Sequence, residues 1–205
     1  MVAQTKNVKI HPVRFSYVHV WEKSETLAGD MKYSVSVIIP KDHPELPKIK
    51  AAIKQAAVNK FGEDRKKWPK KLWNPLQDGD KTREEPAYEN CYYLSPKTDG
   101  VVGVVGPDAK PILDQDEFYS GCYGVVSVSF FGFNKAGKRG VGVGLNNVMK
   151  LKEGERLDGV VSAEEDFADY KTDEITEDNE EISSGPTDQK TEEVYDDSFL
   201  DDDDI

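Results

Sequence analysis

The chain has 205 residues and a mass of 23.0 kDa, with 39 Asp and Glu against 27 Lys and Arg, for a formal charge of −12 and a pI of about 4.8. That acidity is uneven: residues 163–205 carry nineteen acidic and two basic residues, a net of −17, which leaves residues 1–162 at +5. No apolar run approaches the ~20 residues that span a bilayer, and the N-terminus lacks the apolar stretch of a signal peptide. The two cysteines, Cys91 and Cys122, form no CxxC pair, which removes a disulfide framework and a zinc site and leaves buried free thiols. The expectation is a soluble cytoplasmic protein with no membrane segment, one domain over 1–162 and a separate tail over 163–205.

The first predicted element is a strand over about Val8–Trp21, with Val13, Phe15, Tyr17, His19 and Trp21 on one side and a bend or bulge at His11-Pro12. Met31–Pro40 alternates as a second strand, placing Tyr33, Val35, Val37 and Ile39 on one face and Lys32, Ser34 and Ser36 on the other. A helix follows from about Glu45 to Phe61. Leu46, Ile49, Ile53, Ala56, Ala57 and Phe61 form its apolar stripe, Asp42 is its candidate cap, and Gly62 closes it.

Glu63–Asn90 is a long irregular stretch, of the kind that in a compact domain is functional or disordered. It contains Arg65-Lys66-Lys67-Trp68-Pro69-Lys70-Lys71-Leu72-Trp73, where cations and indoles interleave. Such a segment suits phosphate neutralisation and base stacking, or is a solvated basic loop whose tryptophans anchor it to the core. Trp68, between two lysine pairs, reads as the more exposed ring. Asp78, Asp80, Glu84 and Glu85 sit near a turn; carboxylates at this spacing can hold Mg²⁺ for phosphodiester hydrolysis, but Asp-Gly-Asp is ordinary turn chemistry. His11, His19 and His43 have no partners at ligand spacing, and no nucleophile elbow, P-loop or HExxH occurs. No metal, cofactor or enzymatic activity is expected.

Short strands are predicted near Cys91–Ser95 and Val101–Val105, then a long pair, Gly121–Phe133 and Gly140–Leu151, joined by Asn134–Arg139. In the first of that pair Cys122, Gly124, Val126, Val128 and Phe130 share one face. Tyr123, Val125, Ser127, Ser129, Phe131 and Phe133 share the other, beside Lys135, Lys138 and Arg139. Rings on a sheet face next to a basic hairpin suit single-stranded nucleic acid, although Phe131 and Phe133 fit equally well beneath the helix. Several strands, one helix and Gly-rich turns make a small barrel or sandwich. The tail, with apolar residues scattered among charges, cannot offset the entropy of ordering its backbone and is predicted to be disordered, apart from a short start around Glu164–Tyr170. Its end places Phe199, Leu200 and Ile205 among Asp201, Asp202, Asp203 and Asp204, a segment suited to a basic partner or to the protein's own basic groove.

Several segments together resemble a bacteriophage and prophage family of single-stranded DNA-binding proteins similar to the T7 type. They are Asn74-Pro-Leu-Gln-Asp-Gly-Asp80, Pro86-Ala-Tyr88, Cys91-Tyr-Tyr-Leu94, Phe118-Tyr-Ser-Gly-Cys-Tyr123, Gly140 through Asn147, and Glu153-Gly-Glu155. The resemblance spans roughly Val8–Asp169. It implies a mainly β (α+β) chain: an OB-fold-like five-stranded barrel with one inserted helix and long loops. It also implies ssDNA binding without sequence preference, in replication or recombination within the bacterial host cell. The acidic C-terminus is likewise similar to those that recruit partners such as polymerase, helicase or recombinase, but it ends Asp-Asp-Asp-Asp-Ile rather than in Phe. Applied to an OB-fold groove, the residues expected to meet DNA are Trp21, Trp68, Tyr92, Tyr123, Phe131 and Phe133 by stacking. Lys32, Lys66, Lys67, Lys70, Lys71, Lys135, Lys138 and Arg139 are expected at phosphates. A homo-oligomer is compatible with all of this. The rival readings are a protein-interaction module presenting its acidic tail, and a nuclease using Asp78 and Asp80.

Overall fold

β-branched and aromatic residues build β1 (Val8–Glu25), which pairs antiparallel with β2 (Met31–Pro40). The computed structural model describes residues 7–26, 29–135, 137–159 and 166. All but Asp166 belong to the unit Met1–Ser162. The tail expected over 163–205, including Phe199–Ile205, otherwise lies outside the described residues.

The expected period of two does not run through β1. Val13 and Phe15 are buried, but Tyr17 is exposed at φ +46° and Val20 takes the next inward place. The cause is a register shift against β2 between Ser16 and His19, which moves one face onto the other. In β2 the inward set holds: Val35, Val37 and Ile39 are buried. Its opposite face is partly covered, since Ser36 and Ile38 are also buried and the Tyr88 hydroxyl donates to Ser36 Oγ at 2.9 Å.

α1 (Leu46–Phe61) buries Leu46, Ile49, Ala56 and Ala57 and turns its lysines outward. Asp42 does not cap it. The helix starts after Glu45, whose N–H donates to Nδ1 of the buried His43 at 3.2 Å. Gly62 ends it at φ +85°, its N–H bonded to the Val58 carbonyl at 2.8 Å.

The stretch 63–90 is better organised than its composition suggests. It contains β3 (Gln77–Asp78), the four-residue α2 (Gly79–Thr82) and 3₁₀ turns at Arg65–Lys67 and Pro86–Tyr88. It lays Tyr88 over β2, where Ile38, Tyr88 and Tyr93 form a second small core. Four strands and a fifth follow: β4 (Cys91–Leu94), β5 (Lys97–Thr98), β6 (Gly103–Val105), β7 (Tyr123–Lys135) and β8 (Lys138–Lys152). β7 and β8 extend into the expected link: Lys135 pairs with Lys138, so the turn is two residues, with Gly137 at φ +77°. β1 also pairs with β7, with a register shift between Ile10 and Val13 that spans the His11-Pro12 bend.

These pairings close a ring of five strands, β1–β2–β5–β8–β7 and back to β1, in which only β5 and β8 run parallel. β4 and β3 continue outward from β2, and β6 lies parallel on β8. This is the five-stranded OB-fold-like barrel with its inserted helix, α1 falling between β2 and β4 and packing on β7. Phe15, Leu94, Phe118, Val126, Val128 and Phe130 fill its interior. Cys122 is buried among them and its thiol pKa is pushed up to about 11, chiefly by burial; Cys91, expected to be buried, is half-buried. No helix among the described residues is long and apolar enough to cross a membrane.

Candidate nucleic-acid interface

The outward residues of β7 decide where the aromatic face lies. Phe130 points into the core and Gly132 is buried against Ala56 and Lys60 of α1, so the helix covers neither Phe131 nor Phe133. Both phenylalanines are half-buried on the outer surface and line a groove of about 720 Å³. Phe131 lies across from Gly142, where a Cβ would come within 2.7 Å of its ring; only a glycine lets the ring settle there. A bulge in β8 between Leu145 and Asn147 turns Asn146 into the groove, with its Nδ2 donating to Ser129 Oγ at 3.0 Å.

A third ring completes the wall. Trp73 is 57% exposed, yet its backbone is fixed: its N–H donates to the Arg139 carbonyl at 2.9 Å and its carbonyl accepts from the Val141 N–H at 3.0 Å. This bridge to Gly140 requires glycine, because a Cβ there would lie 2.5 Å from both the N and O of Trp73. Its consequence is electrostatic. It joins the loop carrying exposed Lys66, Lys67, Lys70 and Lys71 to the hairpin carrying exposed Lys135, Lys138 and Arg139. Two basic segments about seventy residues apart in sequence thus meet at Trp73, which lines the groove.

Inside the groove, Lys97 is exposed and Lys32 is held to Asp99 at 3.1 Å. Arg83 lies at its β4 side with its guanidinium 5.0 Å from the Tyr93 and Tyr17 rings and 5.1 Å from Tyr88.

Four of the rings expected to stack are placed elsewhere. Trp68, which the sequence presents as the exposed indole, packs on the core near Phe61 and donates its Nε1–H to the Gly62 carbonyl at 2.8 Å. It anchors the loop, and Trp73 is the exposed member of the pair. Trp21 packs on the core with its Nε1–H on the Phe118 carbonyl at 3.2 Å. Tyr92 lies under Lys41 and Lys50, at 5.3 and 5.5 Å, and Tyr123 under Arg14 and Lys152, at 5.5 and 4.6 Å. The groove residues not anticipated as contacts include Trp73, Arg83, Tyr93, Lys97 and Asn146. Only Trp73 had a signal, its place in the basic–indole segment.

The turn carboxylates are engaged by neighbouring side chains and backbone. Lys41 Nζ lies 2.6 Å from both Asp78 Oδ1 and Asp80 Oδ2, and Asp80 also accepts the Asn90 N–H at 2.7 Å. The Lys41 bond holds Asp80 below the usual carboxylate range. Glu85 accepts the Tyr17 hydroxyl proton and is held low by that bond. Among the described residues no group of three or more His, Cys, Asp or Glu is arranged to hold a metal ion.

A second, larger cleft of about 1020 Å³ lies alongside β1. Arg14 and Arg156 face four carboxylates in it, those of Glu85, Asp116, Glu155 and Asp158.

Residues 6–180 match the family model described as the ssDNA-binding protein of Enterobacter phage Enc34. Protein p50 of Acyrthosiphon pisum secondary endosymbiont phage 1 is 31% identical over 172 residues, covering 77% of this chain and 91% of p50. Among solved structures, the bacteriophage Enc34 single-stranded DNA-binding protein in complex with ssDNA superposes with a TM-score of 0.63 at 23% identity, over 74% of this chain and 89% of that one. The T7 single-stranded DNA-binding protein gp2.5 gives 0.52 at 16% identity, over 90% and 100%. At these identities the two structures bear on the fold.

Proposed function

The chain belongs to the Enterobacter phage Enc34 ssDNA-binding protein family, and from that premise we propose that it binds single-stranded DNA along the Trp73–Phe131–Phe133 groove. The observation that carries this reading is the meeting of three outward rings with cations from three separate segments in one groove. Bases stack on Trp73, Phe131 and Phe133. Phosphates meet Lys32 and Lys97 within the groove, and Lys66, Lys67, Lys70, Lys71, Lys135, Lys138 and Arg139 along its rim. Stacking accepts every base, since each has a π-face, so binding is indifferent to sequence. Trp21, Trp68, Tyr92 and Tyr123 support the barrel and its loops. The role is one of coverage and protection, without a chemical step, in phage DNA replication or recombination within the infected cell.

The acidity of residues 163–205 gives the tail a part in this. A segment of net charge −17 competes with DNA for the basic rim, and DNA binding frees Phe199–Ile205 to recruit replication or recombination proteins. The full chain, titrated with oligo-dT, duplex DNA and single-stranded RNA at two salt concentrations, tests the core of the reading. Oligo-dT should bind tightly at low salt, with log K falling against log salt by ~0.7 for each phosphate neutralised. Failure to bind oligo-dT at low salt, with and without the tail, would leave the tail as the functional element of a protein-interaction module.

A further inference from the structure

Tyr17 is an outlier that barrel packing does not explain. It is a non-glycine residue at φ +46°, in the left-handed region that disfavours a Cβ, and the residue is 47% exposed. Glycine or asparagine would make the same bulge with less strain, and burial of the ring does not offset the cost here. Strained backbone held in place by its surroundings gathers at functional sites.

What holds Tyr17 presents its ring. Its hydroxyl donates to Glu85 Oε1, which also pairs with Arg83 Nη1 at 3.5 Å, and the Arg83 guanidinium sits 5.0 Å from the Tyr17 ring centroid. Arg83 lies equally close to Tyr93, and both of these line the groove. Tyr17 itself lines the cleft on β1, beside Glu85, and Arg83 between the two rings links it to the groove wall past β2. Past Tyr17 the cleft lining carries a net negative charge, Glu85, Asp116, Glu155 and Asp158 against Arg14 and Arg156, which disfavours further phosphates.

We propose that Tyr17 is the terminal stacking platform of the ssDNA path: a nucleobase lies on its exposed face, the adjoining phosphate stays on the Arg83 side, and the strand goes no further. The inference rests on the groove being the ssDNA interface. It adds one position to the footprint and fixes its end.

The test uses the full chain and an oligo-dT ladder from about four to about sixteen nucleotides, the range of OB-fold site sizes. Tyr17→Ala and Tyr17→Gly should bind the long oligomers about tenfold more weakly than the parent and the shortest ones equally well, because short oligomers fill the groove alone. Tyr17→Phe, which keeps the ring, should restore the long-oligomer affinity. Tyr17→Gly, relieved of the strained φ, should melt no lower than Tyr17→Ala, which separates a lost contact from a lost fold. Equal binding of every length by parent and Tyr17→Ala, alongside weakened binding by Trp73→Ala, would overturn the inference and leave the groove reading intact. So would a uniform loss at all lengths, or a Tyr17→Phe as weak as Tyr17→Ala. A parent chain that binds no oligo-dT at low salt removes the groove reading and the inference with it.

Discussion

The two concavities of this barrel come together where Arg83 of the groove meets Tyr17 of the cleft, and they differ in sign. The groove over β7 and β8 sets Lys32, Lys97 and Arg83 against the single carboxylate of Asp99. The cleft beside β1 is larger, about 1020 against 720 Å³, and sets two arginines against four carboxylates. Those arginines are already committed: Arg14 donates to the carbonyls of Gly121 and Glu155, and Arg156 to the Asp158 carboxylate. Size alone would pick the cleft. For a polyanion, the sign of the lining decides, together with whether the rings face outward.

The sharpest way to break that contrast is to remove rings from the groove and a charge from the cleft. Trp73→Ala combined with Phe131→Ala should weaken oligo-dT binding by about a hundredfold or more, given ~1–3 kcal/mol per stacked base. Arg156→Ala, in the cleft, should leave affinity within about twofold. Equal losses from both would mean that the strand occupies the cleft as well. A smaller effect is expected from deleting residues 163–205. If the tail competes for the groove, affinity at low salt should rise several-fold and the gain should vanish as salt is added, because both interactions are screened. An unchanged low-salt affinity would dismiss the competition and spare the groove.

The smallest effect concerns the meeting of groove and cleft itself. The Tyr17 hydroxyl holds the Glu85 pKa below its usual value, so this bond contributes stability above the ordinary carboxylate range and loses it as the pH falls through the depressed value. Glu85→Gln should therefore melt slightly lower than the parent at neutral pH, with the difference closing in acid. A difference that widens in acid would reverse the assignment.

What was legible in the sequence was whatever depends on near neighbours. The alternation of Met31–Pro40 and of Cys122–Phe133, and the stripe from Leu46 to Phe61, each encode one element and its inward face. Trp68 and Trp73 show where this stops. They are five residues apart in one basic segment, and local composition favours Trp68 as the exposed ring. Its fate depends on the Gly62 carbonyl and Phe61, and that of Trp73 on a backbone bridge to Gly140. The same holds for β5, whose two residues are too few to show a period, and for Tyr17, whose place follows from a register shift against β2. The covering of β2 by Tyr88 likewise joins residues more than fifty positions apart.

The parallel contact of β5 with β8 has a mechanical meaning. Among the described residues, Lys97 and Gly144 are the one pair in register there, so the circumference is fastened at that point by a single stitch. Both residues line the groove. A strand of DNA lying across it would touch both sides of the stitch, Lys97 on one side and Phe131 and Asn146 on the other, and act as a clasp. Loading would then stiffen the protein at its thinnest join, which amide exchange at Lys97 and Gly144 should register as slowing on addition of oligo-dT. At a hundredfold excess over Kd, ligand binding adds about 2.7 kcal/mol of stability. Here that gain would be delivered where the barrel is most easily unbuttoned, so the cargo helps to hold its carrier shut.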